Sequence, residues 1–160
     1  MERVSMPAIA AALALAAGVA AASETTGDYA TDLGRVYGGY QRMLAMKEAC
    51  DTAVPPARAA NEKAFTAWQA RHRALIQDLQ RRVTAMIRLA SKDPQEYARN
   101  LGKYEGEILQ ERQEYKDLLL ALGPDDLSEQ CQRVPEMLKG PGADLGKVYA
   151  AEWATIRKRK

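Results

Sequence analysis

The chain is poor in the residues that do chemistry. Its 160 residues include one histidine, His72, two cysteines, Cys50 and Cys131, and one phenylalanine, Phe65. A Ser-His-Asp or Cys-His nucleophilic site would have to be built on His72, which lies between Trp68 and Ile76 in an apolar pattern. Zinc needs three or four converging His, Cys or carboxylate ligands, and this chain has too few of the first two. Covalent haem needs Cys-x-x-Cys-His, which does not occur, and a helical di-iron site needs Glu-x-x-His, whereas Gln69 stands three before His72. There is no Gly-rich phosphate loop, nucleophile elbow or dinucleotide fingerprint. Gly140-Pro141-Gly142 lacks the strand before and the Lys after that a phosphate loop requires. The pairs Glu107–Glu111 and Glu114–Asp117 have the spacing of an acid and a base, but they alternate with Lys103, Arg112 and Lys116, as a solvated helix face does. The expectation is a protein that is not an enzyme and holds no cofactor.

Strand-like alternation is also missing, and so is any apolar run beyond the first residues that approaches a membrane span. Ala8 to Ala17 is an unbroken run of Ala, Ile and Leu, followed by Ala20-Ala21-Ala22 and the polar Ser23-Glu24-Thr25-Thr26. This reads as a cleavable signal peptide over residues 1–22, cut after Ala22 where small residues stand at −3 and −1. The run falls short of the ~20 apolar residues a span needs. The expected location is periplasmic or secreted, from a Gram-negative bacterium, with no transmembrane segment in the mature chain. Residues 23–160 then form one helical domain, with a flexible neck over 23–31 and a basic tail over 157–160. In an exported chain two cysteines predict one disulfide, Cys50–Cys131, which stabilises the fold by roughly 4 kcal/mol in the chain-entropy model.

What the chain does have is helical periodicity. Phe65, Trp68, His72, Ile76, Leu79, Val83, Met86 and Ala90 recur at spacings of three and four between Pro56 and Lys92, a long amphipathic helix on which the other elements are expected to pack. A first helix is expected from about Thr31 to Ala53, with a bend or close helix crossing at Gly38-Gly39, and Pro55-Pro56 ends it. Asp93, Pro94 and Glu96 form the capping signal of a third helix to Leu122, with a stripe of Tyr97, Leu101, Tyr104, Ile108, Tyr115, Leu118 and Leu122. Gly123-Pro124 stops it. A shorter helix is expected from Asp125 to Leu138, with a break or tight final turn at Pro135, and a last one from Ala143 to Arg157. The fold class is all-α: a small antiparallel bundle of three long and one or two short helices, stapled by one disulfide. This layout resembles small helical proteins exported by Gram-negative bacteria, and no family motif accompanies it.

Charge is nearly balanced, 23 basic against 21 acidic residues, which argues against a nucleic-acid binder. It is unevenly placed. Residues 56–92 hold eight basic and two acidic side chains, and residues 94–122 hold six acidic and four basic. Either the two helices compensate one another, or part of the basic face is open to an acidic partner. The function expected is a non-enzymatic exported interaction protein, such as an inhibitor, adaptor or chaperone-like partner of another envelope or extracellular protein. Arg71, Arg73, Arg81, Arg82 and Arg88 are the candidate partner-binding residues. The alternative is a carrier that holds a metal, haem or small apolar ligand inside the bundle, with His72, Met43, Met46 and Met86 as candidate ligands. A lone His on an apolar stripe is otherwise a packed residue with one hydrogen bond, or a pH sensor.

Overall fold

The computed structural model describes residues 25–158. The signal-peptide reading of residues 1–22 and the last two residues of the basic tail lie outside the described residues. Six helices follow one another: α1 (Tyr29–Ala53), α2 (Arg58–Leu89), α3 (Pro94–Leu120), α4 (Pro124–Met137), α5 (Leu145–Val148) and α6 (Ala150–Lys158). Single 3-10 turns at Pro55–Ala57 and Pro141–Ala143 complete the order. Among the described residues there is no strand, and no helix is long and apolar enough to cross a membrane. The fold is an all-α bundle, and the Cys50–Cys131 disulfide joins α1 to α4.

The helix starts follow local chemistry. Asp28 caps α1 by accepting from the Thr31 amide at 2.8 Å. Thr25 and Thr26 then donate their hydroxyls to the buried Asp32 carboxylate, so the expected neck is tied down from Thr25 and helical from Tyr29. At α3 the Asp93 side chain accepts from the Glu96 amide at 2.7 Å. Glu96 in return accepts from the Lys92 amide at 2.6 Å, a capping box shifted by one residue. Pro135 stays inside α4, which ends two residues later as the chain tightens into i→i+3 bonds at Lys139 and Gly140.

The organising element is α1 rather than α2. It packs against α2, α3, α4, α5 and α6, because small residues (Gly39, Ala45 and Ala49) let neighbours approach it from several sides. The core has two halves. Leu33 and Val36 of α1 meet Leu79, Val83 and Ile87 of α2 with Trp153 and Ile156 of α6. Further along, Tyr40, Cys50 and Val54 meet Phe65, Trp68 and Ile76 with Leu127, Cys131 and Val134 of α4. This order makes α1 and α2 antiparallel. α3 runs back beside α1, from Tyr104 against Tyr37 to Arg112 paired with Glu48.

Three expectations need correction. The last helix is broken: a 3-10 turn, α5 and α6 replace a single helix over 143–157, and Tyr149 stands at the break with its ring against Gly39. Ala90 is exposed and Ile87 buried, since Ala90 lies past the last turn as the C-cap of α2. Leu118 is 69% exposed rather than inward, and α3 as a whole contributes no buried residue.

Candidate functional site

Two regions merit construction from the residues upward: the corner around His72, and the outer face of α2.

At the corner, one turn of α2 clamps the connection from α4 to α5. The Trp68 indole is fully buried, stacks on Tyr40, and donates Nε1–H to the Ala143 carbonyl at 2.7 Å. Arg71 donates to the Leu138 carbonyl at 2.6 Å, which satisfies an orphan acceptor at the end of α4. The His72 ring packs on Trp68, with Nδ1 2.9 Å from the Trp68 carbonyl and Nε2 3.7 Å from the Asp144 carboxylate. A carbonyl only accepts, so Nδ1 carries the proton there. Asp144 itself caps α5, accepting from the Gly146 and Lys147 amides. His72 is 11% exposed, and it opens on a cleft of about 490 Å³ that Arg71, Asp78, Asp144, Trp153 and Arg157 also line. This is a surface cleft of mixed character, since Ala74 and Leu75 also line it, and no methionine borders it. Met86 lies fourteen residues along the same helix from His72, about 21 Å by helical rise, so His72 and Met86 cannot share a ligand. Met43 and Met46 pack into the half of the core that contains Trp68. No group of three or more His, Cys, Asp or Glu side chains is placed to hold a metal among the described residues.

The five candidate arginines divide into two kinds. Arg71 and Arg82 work inside the fold: Arg82 bonds Asp78 at 2.9 Å and the Ile156 carbonyl at 3.1 Å, tying α6 to α2. The Asp78 carboxyl feels burial, which raises its pKa, but hydrogen bonds from Arg82 and Arg81 outweigh that and hold it below the usual carboxylate value. Arg73, Arg81 and Arg88 face outward. Arg81 is 71% exposed although it reaches Asp78 at 3.1 Å, and Arg88 rests over the Tyr97 ring. With Lys63 they lie on an exposed face otherwise formed by Thr66, Ala67, Ala70, Ala74, Gln77, Thr84 and Ala85. Asp78 lies at one edge of it, paired with Arg81 and Arg82. Glu62, at its edge, is turned to Lys47 of α1 at 2.7 Å. This explains Lys47, which interrupts the apolar pattern of α1 and yet is only partly exposed.

The acidic helix does not cover that face. Among the described residues no ion pair joins α2 to α3, and the partner that α3 finds is Glu48 of α1, through Arg112. Helix α2 instead meets α3 through the Arg88 guanidinium over the Tyr97 ring. The paired carboxylates of α3 are exposed and engaged along their own helix, Glu107 with Lys103, Glu114 with Gln110 and Asp117 with Gln113. Comparison of the chain with protein-family models, curated proteins and solved structures finds no match.

Proposed function

We propose that this is an exported, non-enzymatic interaction protein whose contact surface is the outer face of α2. The observation that carries the reading is the exposed run of Lys63, Arg73, Arg81 and Arg88 along a helix of 32 residues, about 48 Å long, whose neighbouring acids Glu62 and Asp78 are paired with Lys47 and with Arg81 and Arg82. Arginine is favoured at protein contacts because its fork makes bidentate bonds to carboxylates and its plane stacks on rings. Small residues between the arginines leave room for a helix or extended segment to lie close. The partner presents a row of carboxylates to that face. Export is supported by the alanine-rich start of the sequence and by the disulfide, which persists in oxidising surroundings. The test is crosslinking in the intact envelope with a photoreactive residue at position 77, in the native protein and in R73E/R81E/R88E. Loss of the crosslinked species in the variant is expected, and equal crosslinking in both sinks the proposal.

The carrier reading has one observation of its own, the cleft beside His72. Its charged groups beside Ala74, Leu75 and Trp153 suit a small molecule with one polar and one apolar side. Native mass spectrometry of gently purified protein distinguishes the two: a retained small-molecule mass, lost on H72A, favours the carrier.

A further inference from the structure

The α2 face is one half of a charge pattern whose other half lies on the same chain. Along α2, Lys63, Ala67, Ala70, Ala74, Gln77, Arg81, Thr84 and Arg88 follow one another at spacings of three and four, so they form one stripe with a small-residue middle and cationic ends. Along α3, Glu107, Glu111, Glu114 and Leu118 do the same and form one exposed acidic ridge. Residues 105–117 carry five acids, and one of their two cations, Arg112, is taken up by Glu48 of α1. Within one copy these patterns do not meet. Leu118, 69% exposed, is a large apolar side chain on the ridge, of the size that the alanines of the stripe leave room for.

Resting on the reading of the α2 face as the contact surface, we infer that its occupant is a second copy of this chain. The acidic ridge of α3 in one copy lies along the basic stripe of α2 in the other. The inferred contact is two-fold: each copy gives its ridge to the other's stripe and receives the other's ridge on its own, so the assembly closes as a dimer. In an antiparallel crossing with Leu118 set into the stripe near Ala70 and Ala74, Arg81 faces Glu107 and Glu111 of the second copy. Complementary potentials of this kind fix register and exclude like-charged alternatives.

Sedimentation velocity on the disulfide-bonded protein tests this. A dimer is expected at roughly 50 mM salt, with self-association weakened about tenfold or more at roughly 500 mM, where the screening length falls below 5 Å. R73E/R81E/R88E alone and E107K/E111K/E114K alone are each expected to be monomeric. An equimolar mixture of the two is expected to form a heterodimer, because each contact then again joins opposite charges. Heterodimer formation also proves that both variants are folded. A monomeric native protein at low salt overturns the inference, as does a dimer that survives either charge reversal, or a mixture that stays monomeric although circular dichroism shows both variants helical. E107K/E111K/E114K keeps the α2 face, so crosslinking to a foreign acidic protein through that face stands or falls separately from the dimer.

Discussion

Two adjacent glycines illustrate how differently one residue type behaves at neighbouring positions of a helix. A Cβ at Gly39 would lie 2.6 Å from Cζ of Tyr149, whereas one at Gly38 meets nothing within 4 Å. Gly39→Ala is expected to cost about 1–3 kcal/mol through overpacking. Gly38→Ala is expected to gain up to about 1 kcal/mol from helix propensity. Urea unfolding of both variants reads the difference directly. Asp32 makes a second case. Burial raises its pKa, but hydrogen bonds from Thr25 and Thr26 and the Arg35 charge together hold it below the ordinary 3.8. A carboxyl with a lowered folded pKa stabilises fully above 3.8, and that stabilisation is lost as pH falls through the folded value. Asp32→Asn is therefore expected to be less stable at neutral pH, with the difference shrinking in acid. A gap that stays constant to pH 2 contradicts the assignment. Tyr104 is the alkaline counterpart: burial pushes its pKa up to about 12, and its hydroxyl has no protein hydrogen-bond partner. The unfolded chain ionises first above about pH 10 and stability falls from there, so Tyr104→Phe is expected to be at least as stable at neutral pH and to lose less on alkaline titration.

At the scale of elements, arginines that look alike in sequence have different tasks. Arg71 closes the end of α4 through the Leu138 carbonyl, while Arg73, two residues on, points to solvent. Arg71→Met leaves that carbonyl without its charged donor and is expected to cost about 1–2 kcal/mol in thermal or denaturant unfolding. Arg73→Gln is expected to lie within about 0.5 kcal/mol of the native protein. The same difference matters for α3. Its 27 residues include none that is buried, it holds to α1 through half-buried tyrosines and leucines, and Gly102 and Gly106 weaken its helix. Amide exchange in α3 is therefore expected to be the fastest among the long helices.

For the molecule as a whole, the staple sets the limit on stability. Cys50 and Cys131 are buried, 81 residues apart in sequence, and both lie in the half of the core built from α1, α2 and α4. Replacing both by Ala is expected to cost about 4 kcal/mol, a large share of what a domain of this size has, and to lower the melting temperature by more than 10 °C. Equal melting curves for the oxidised native protein and the double variant would contradict a stabilising role. The near-zero net charge has a second consequence. With α2 strongly basic and α3 acidic by a smaller margin, contact between molecules is expected to strengthen at low salt, which ties the association experiments to ionic strength.

The sequence by itself determined which segments are helices and, for the first four, where they start to within about two residues. Three-and-four spacing, Pro55-Pro56, the Asp93–Glu96 capping pair and Gly123-Pro124 act over a few residues and need no tertiary partner. The all-α class and the cysteine pairing followed, the latter because two cysteines allow one intramolecular bond. Tertiary structure alone decided which helix lies at the centre, because the small residues of α1 give a weak periodic signal yet admit neighbours on several sides. It decided that Tyr149 breaks the last helix against Gly39, a contact between residues 110 apart in sequence. It also decided which arginines are engaged and which are open. That choice depends on carbonyls at the ends of α4 and α6, whose positions no local pattern on α2 encodes.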